Sequence, residues 1–121
     1  MIYESGEMYL ETILVLHKSH EMVRAIDVAN ERKFSKPSVS RAINVLKEKK
    51  YLTVEKNGNL VLTDRGEALA TSIFERHQVI TQYLIHELEI DPKIAEDDAC
   101  RIEHVISTET FDKMKEKLNF K

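Results

Sequence analysis

Residues that interrupt regular structure are scarce in this sequence. Its 121 residues include three glycines and two prolines, and so few breaks favour long helices. No apolar run approaches the ~18 residues of a membrane-spanning helix, and the first seven residues lack the basic segment that opens a secretory signal. These absences predict a largely helical protein without a membrane span or a signal peptide.

Cysteine is nearly absent as well. Cys100 is the single cysteine, so no internal disulfide can form, which is typical of a reducing compartment. We therefore expect a cytoplasmic protein. With 42% apolar residues, the chain has enough apolar side chains for one modest core or for two small packed units.

Charge is distributed unevenly along the chain. The formal net charge is −3, yet the stretch from Arg32 to Lys50 carries seven basic residues and one acid, a balance of +6 (7 − 1). The stretch from Glu87 to Glu103 instead carries seven acids and two basic residues. A basic zone suits phosphates and an acidic zone suits cations. Two solvated charged surfaces without a ligand remain the alternative.

The N-terminal half has the pattern of a helix-turn-helix. Apolar periodicity predicts a first helix at about 6–19 and a second at about 24–32. Ser35 is a favourable N-cap, and Pro37 is tolerated in the first turn of a third helix that extends to about Lys50. The apolar positions expected to face the core of the second and third helices are Ile26, Val28, Ala29, Val39, Ala42, Ile43 and Leu46.

A β-ribbon and further helices are predicted for the rest of the chain. Asn57-Gly58 lies between two short runs of β-forming residues, which is a strong hairpin signal. Three helices are then predicted at about 64–88, 92–106 and 108–117, capped by Thr63, Asp91 and Ser107. The predicted fold class is therefore mainly α, with a winged helix-turn-helix domain at 1–63 and a helical module at 64–121.

The third helix has the surface chemistry of a DNA-recognition helix. Its N-terminal end carries small hydroxyl and basic side chains on the outward face, where such a helix contacts the major groove. Arg41 can pair bidentately with guanine, and the Pro37 ring can contact a thymine methyl group. The predicted DNA-binding residues are Ser35, Lys36, Pro37, Ser38, Ser40, Arg41, Asn44, Lys47 and, on the ribbon, Lys56.

Near the C-terminal end, a thiol, a carboxylate and an imidazole follow helical spacing. In a helix, Cys100, Glu103 and His104 occupy positions i, i+3 and i+4 on one face. Together they suit a transition-metal ion that accepts both soft and hard ligands. The alternative is ordinary packing, with the thiol acting as a small hydrophobe. Further candidate ligands are Met8, Glu11, His77 and Glu96.

Several segments also occur in a characteristic order. They are EMYLETI at 7–13, VA at 28–29, PSVS at 37–40, LTDRG at 62–66, RH at 76–77 and DACRIEHVIS at 98–107. In this order they resemble the diphtheria toxin repressor family of metal-dependent regulators, which includes the manganese transport regulators. The resemblance covers almost the whole chain, and Cys-x-x-Glu-His is its most specific part. It implies a homodimer that binds a palindromic operator when loaded with divalent metal and represses metal-uptake genes.

The resemblance also implies which residues bind metal. The primary site of the iron-type members falls on Met8, Cys100, Glu103 and His104. Manganese-type members have carboxylates in place of the two sulfur residues, and sulfur ligands favour later ions over Mn²⁺. Fe²⁺ is therefore the expected metal, and Mn²⁺, Co²⁺, Ni²⁺ and Zn²⁺ are alternatives.

The resemblance also implies a second, ancillary metal site, whose ligands are a mixture of those of the iron-type and the manganese-type members. Its histidine falls on His77, whereas Thr81 and Glu96 stand where iron-type members have other ligands. Glu11 matches a ligand of manganese-type members. Many iron-type members continue into a small β-barrel domain, and this chain stops at Lys121, so we expect the short form, with residues 64–121 as the metal-binding and dimerisation domain.

Two other functions remain open from the sequence. One is a metal-independent winged helix-turn-helix regulator in which the cysteine, glutamate and histidine only pack. The other is a small metalloenzyme, but no His-Glu-x-x-His or comparable motif occurs, and a basic winged unit would then go unexplained. The sequence therefore predicts a metal-dependent repressor that is not an enzyme.

Overall fold

The protein is mainly helical and divides into two compact units, Met1–Thr71 and Ser72–Lys121. The computed structural model describes residues 4–119. Its elements are α1 (Glu4–His17), α2 (Ala25–Arg32), α3 (Lys36–Glu48), β1 (Leu52–Val54), β2 (Leu60–Leu62), α4 (Asp64–Leu88), α5 (Pro92–Ile102) and α6 (Thr108–Asn119). The prediction of a mainly α fold with a winged helix-turn-helix is confirmed. Among the described residues, no helix has both the length and the apolar character needed to cross a bilayer.

The core of the first unit lies where α1, α2 and α3 meet the β-ribbon. Leu10, Ile13, Val28, Val39 and Leu46 are at most 1% exposed. They follow the spacing of one helix face in their own elements, so each helix buries a single stripe. Their burial fixes α3 with its opposite face toward solvent.

The junction between α2 and α3 is a tight turn held by local caps. Lys33 ends α2 in the left-handed conformation, with φ of 58°. Ser35 then starts α3, and its Oγ accepts a hydrogen bond from the Ser38 amide at 3.2 Å, which satisfies an otherwise unpaired helix N–H group. Pro37 occupies the first turn of α3, as the sequence predicts.

The ribbon is a short antiparallel wing. Leu52 pairs with Leu62 and Val54 with Leu60. Gly58 adopts φ of +91° in the connecting turn, a conformation that side chains with a Cβ rarely take. The Leu60 amide also donates to the Val23 carbonyl at 2.7 Å, so the segment before α2 anchors the wing.

The second unit contains most of α4 together with α5 and α6. Its core consists of Ile80, Leu84, Ala95, Ala99 and Phe111, each at most 7% exposed. Both predicted caps are present. The Asp91 carboxylate accepts from the Lys93 amide at 3.1 Å, and the Ser107 hydroxyl accepts from the Thr110 amide at 3.1 Å.

Two sequence expectations differ from the structure. The helix expected at 92–106 ends at Ile102, because the Val105 and Ile106 amides both turn back to the Ile102 carbonyl and Ser107 begins the next helix. Ile26 was expected to face the core but is 40% exposed, because α2 has eight residues and buries only the stripe that includes Val28 and Ala29.

Candidate metal centre and nucleic-acid interface

A fully buried carboxylate lies between two imidazoles in the second unit. Glu103 caps the C-terminal end of α5, where its amide donates to the Ala99 carbonyl at 2.9 Å. Its Oε1 lies 3.5 Å from Nδ1 of His77 on α4 and 3.6 Å from Nε2 of His104. The Glu103 and His104 side chains are 0% and 2% exposed, and that of His77 is 19% exposed.

The distances in this cluster exceed those of hydrogen bonds. Within the described part of the chain, neither oxygen of the Glu103 carboxylate accepts a hydrogen bond. A buried carboxylate without compensation is costly, so it requires a nearby positive charge. Donor atoms held ~2.1 Å from one metal ion lie roughly 3–3.5 Å from one another, which is close to the separations seen here. The spacing of this carboxylate from each imidazole therefore fits that of two ligands on a divalent metal ion, with protonated imidazoles as the alternative source of charge.

The Arg76 guanidinium, which is not part of this cluster, is hydrogen-bonded to the backbone of Glu103. Arg76 Nη1, on α4, donates to the Glu103 carbonyl at 3.3 Å. The same guanidinium lies over the Phe111 ring, 5.7 Å from its centroid, a cation–π contact. Supporting contacts of this kind orient the ligands of a metal site, and the sequence analysis assigned no such role to Arg76.

The other predicted ligands of the second unit have different surroundings. Cys100 is half-buried on α5, one turn before the cluster. Glu96 is exposed on the same helix. The Thr81 hydroxyl donates to the His77 carbonyl at 2.7 Å, so it is engaged by its own helix. The structure thus places together His77, Glu103 and His104, and His77, which the resemblance assigned to an ancillary site, lies beside the Glu103 carboxylate.

The first unit contains the remaining two candidate ligands, both on α1. Met8 is half-buried. Glu11 is 2% exposed, and its Oε1 lies 3.9 Å from Nη2 of Arg32. The Arg32 Nε also donates to the Thr12 hydroxyl at 3.0 Å. Arg32 is therefore a cation beside a predicted metal ligand, and sequence spacing gave no sign of it, because 21 positions separate it from Glu11.

The outward face of α3 is polar and basic. Lys36, Pro37, Ser40, Asn44 and Lys47 are exposed, as the helix-turn-helix pattern predicts. The Ser35 and Ser38 side chains are hydrogen-bonded to each other, with their oxygens 2.8 Å apart, and Ser38 is half-buried. Apart from Pro37, these exposed residues offer hydrogen-bond donors and cations to a ligand.

Arg41 lies on the edge of this surface that is nearer to α1. Its Nη2 is 3.4 Å from the Ser38 hydroxyl. Burial raises the pKa of the Tyr9 hydroxyl on α1, and the Arg41 charge opposes that rise. The Tyr9 ring in turn lies 4.9 Å from the Phe34 ring, centroid to centroid. Arg41 is exposed, and its guanidinium is oriented by the Ser38 hydroxyl.

The wing and the start of α2 form a groove beside α3. The groove has a volume of about 390 Å³, and its polar walls include Arg24, Asn44 and Lys47. Arg24 packs its side-chain carbons 3.7 Å from where a Cβ on Gly58 would lie, so its side chain lies along the turn of the wing. Lys56 is exposed in the wing turn. The sequence analysis missed Arg24, because only the tertiary fold brings the start of α2 to the wing.

Comparison with known proteins matches both halves of the chain to one family. Residues 1–60 match the family model described as iron dependent repressor, N-terminal DNA binding domain. Residues 63–121 match the one described as iron dependent repressor, metal binding and dimerisation domain. The two matches together cover nearly every residue.

Individual relatives agree with this result. The chain is 32% identical over 108 residues to the diphtheria toxin repressor of Corynebacterium jeikeium, which is 89% of this chain and 45% of that protein. It is 28% identical over 120 residues to the HTH-type transcriptional regulator MntR of Bacillus pumilus, which is 99% of this chain and 83% of that protein. The chain thus spans about half the length of the diphtheria toxin repressors that it matches.

A solved structure has the same fold. A manganese-dependent transcriptional repressor in complex with manganese superposes with a TM-score of 0.88 and 26% sequence identity. The superposition covers 96% of this chain and 53% of that one.

Proposed function

Because the chain belongs to the iron-dependent repressor family, we propose that it is a metal-dependent DNA-binding repressor of metal-homeostasis genes. In this proposal residues 1–63 bind a palindromic operator, and residues 64–121 bind metal and form a homodimer in the cytoplasm. The proteins of this family are repressors and not enzymes, and we assign no catalytic role to any residue.

The observation that supports metal binding is the buried carboxylate of Glu103. Glu103 is fully buried between His77 and His104, and no residue from 4 to 119 donates a hydrogen bond to its carboxylate oxygens. A divalent cation would neutralise the carboxylate and accept the imidazole lone pairs, which is why histidine and carboxylate recur together in metal sites. We propose that His104 and Glu103 are central ligands and that His77 belongs to the same cluster.

The further ligands in this proposal are chosen by the type of donor atom that each side chain offers. Met8, Glu11 and Cys100 each offer a donor atom of a type that transition metals accept. A thioether and a thiolate favour Fe²⁺ over Mn²⁺, so we propose Fe²⁺ as the physiological metal. The exposed Glu96 would contribute only weakly, because solvent already stabilises its charge.

The DNA half rests on the exposed basic face of α3 and the wing. Helix-turn-helix proteins place such a face in the major groove, where hydroxyl and basic side chains contact phosphates and base edges. The proposed contact residues are Ser35, Lys36, Pro37, Ser38, Ser40, Arg41, Asn44, Lys47 and Lys56, with Arg24 as an addition from the structure.

The test is DNA binding with and without metal. Duplexes would be selected from a random-sequence library by the protein in anaerobic Fe²⁺, and their affinity would then be measured by fluorescence anisotropy in Fe²⁺ and in chelator. Coupling between metal and DNA is expected to change affinity roughly 5–150-fold. Glu103→Gln should abolish most of that difference, whereas Glu116→Gln, an exposed carboxylate on α6, should retain it.

Equal affinity for the selected duplex in chelator and in Fe²⁺ would overturn the proposal. The metal itself is tested by repeating the titration with Mn²⁺, Co²⁺, Ni²⁺ and Zn²⁺. A larger effect with Mn²⁺ than with Fe²⁺ at matched free concentration would count against the iron assignment and leave the metal-dependent function intact.

A further inference from the structure

Arg32 contacts two consecutive residues of α1 from the last turn of α2. Its Nη2 lies 3.9 Å from Oε1 of Glu11, and its Nε donates to the Thr12 hydroxyl at 3.0 Å. Glu11 and Thr12 are each 2% exposed, and the Arg32 side chain is 29% exposed. The guanidinium thus places its permanent positive charge beside a buried carboxylate.

The contact with Thr12 extends to a second candidate ligand. The Thr12 hydroxyl donates in turn to the Met8 carbonyl at 2.8 Å. A hydrogen-bond chain therefore runs from the Arg32 guanidinium through Thr12 to the backbone of Met8. Through its ion pair and this chain, Arg32 is connected to both α1 residues that the proposed function assigns to metal binding.

The position of Arg32 in the chain joins these contacts to the recognition helix. It is the last residue of α2, and three residues later Ser35 caps α3. Phe34, between them, packs its ring against Tyr9 of α1. The segment of α1 that contains the candidate ligands therefore packs against the turn that sets the direction of α3.

The charge of Arg32 opposes that of a metal ion. A guanidinium stays protonated at any physiological pH, and a buried carboxylate requires a cation. A divalent ion at Glu11 would occupy the same carboxylate and would lie near a like charge, which raises its free energy. Metal binding at Glu11 and the ion pair with Arg32 therefore oppose each other.

We infer that Arg32 is a built-in competitor of the metal for Glu11. In the metal-free protein it stabilises the buried carboxylate and holds α1 against the end of α2. Metal binding displaces it, which lowers metal affinity and releases the turn before α3. This inference rests on the proposed function and adds a positioning residue that sets the metal concentration at which the protein responds.

The experiment measures Co²⁺ affinity by calorimetry on the full chain, together with the Tm of each metal-free protein. Arg32→Gln removes the charge and keeps an amide donor, and Arg32→Met removes both. Both should bind Co²⁺ about tenfold tighter than the unmodified protein, within the range of roughly 5–150-fold for coupled sites. Arg32→Lys, which keeps the charge, should return the affinity to within about threefold of the original.

Two further measurements separate competition from a general structural effect. The metal-free neutral variants should have a lower Tm, because Glu11 loses its cation, and Co²⁺ should raise their Tm by more than it raises that of the unmodified protein. In a Glu11→Gln background, Arg32→Gln should leave Co²⁺ affinity unchanged. Lys113→Gln, which removes an exposed charge on α6, is the matched control and should change neither quantity.

The outcomes distinguish this inference from the proposed function. If the unmodified protein binds Co²⁺ and Glu103→Gln does not, the metal site stands. Unchanged or weaker Co²⁺ binding by both neutral variants would then overturn the role of Arg32 alone. No Co²⁺ binding by the unmodified protein would overturn both.

Discussion

Glu11 and Glu103 are both almost fully buried, yet their neighbours differ. Glu11 has the guanidinium of Arg32 at 3.9 Å, whereas Glu103 has two imidazoles at 3.5 and 3.6 Å. An imidazole exchanges its proton in the physiological pH range and binds metal when neutral, but a guanidinium stays charged. In the proposed site a metal ion therefore competes with a permanent cation for Glu11 but not for Glu103.

Arg41 and Lys56, two cations of the proposed DNA-binding surface, are expected to make different contacts with DNA. Arg41 is exposed near the N-terminal end of α3, where a guanidinium can pair with a guanine edge, whereas Lys56 lies in the wing turn as a point charge for phosphate. Arg41→Ala should cost ~1–3 kcal/mol on the best operator and relax preference at one base pair. Lys56→Ala should weaken all sequences alike and reduce the salt slope by about 0.9.

Anisotropy over a set of operator variants and salt concentrations measures both effects. If Arg41→Ala weakened binding to random DNA as much as to the operator, the base-contact assignment would be wrong. The contact of Arg41 with the Ser38 hydroxyl limits the rotamers that Arg41 must give up on binding.

At the scale of elements, the start of α4 depends on Gly66, whose backbone lies very close to the carbonyl group of Tyr51. A Cβ on Gly66 would lie 1.9 Å from the Tyr51 carbonyl oxygen and 2.9 Å from its carbon. Nearby, the Thr63 hydroxyl accepts from the Gly66 amide at 3.1 Å, and Arg65 donates to the Tyr51 hydroxyl at 3.0 Å. The glycine lets α4 begin directly against the residue that leads into the wing.

Gly66→Ala is therefore expected to destabilise the first unit. The added carbon overlaps backbone atoms, so the helix or the strand must shift, at a cost of ~1–3 kcal/mol or more. Urea denaturation monitored by circular dichroism measures the change in free energy of unfolding. Thr71→Ala, at an exposed site on the same helix, should change it by no more than about 0.5 kcal/mol. Equal stability of both variants would refute the role of this contact.

At the scale of the whole molecule, the second unit exposes apolar side chains that its own core leaves uncovered. Leu88 and Ile94 are each 54% exposed and Val105 is 65% exposed. These residues lie within the part of the chain that matches a dimerisation domain. A second copy of the chain would cover such side chains. The two DNA-binding domains of the dimer would then match the two halves of a palindromic operator.

We accordingly expect a homodimer at micromolar concentration, measured by sedimentation. A stable interface buries about 800 Å² on each partner, so a charge in its centre is strongly unfavourable. Ile94→Glu or Val105→Glu should shift the chain toward monomer, whereas Val45→Glu on the exposed face of α3 should not. A monomeric unmodified protein, with and without metal, would contradict the prediction.

The sequence by itself determined the order and type of the elements. Apolar spacing and caps such as Ser35, Asp91 and Ser107 act within a few residues, so the pattern predicted α2, α3, the wing and α4 nearly to their observed ends. The same spacing singled out Glu103 and His104. It failed for Ile26 and for the end of α5, where packing in three dimensions decides which side of a short helix is covered.

Only the tertiary structure decided which side chains meet. His77 and Glu103 lie 26 positions apart, Arg76 and Glu103 27, and Arg32 and Glu11 21, and no local periodicity connects positions so far apart. Their contacts arise because helices bury single apolar stripes against one another, and polar groups near those stripes come together with them. Electrostatic pairing at the buried carboxylates of Glu11 and Glu103 is therefore a property of the packed helices and could not be derived from residue spacing.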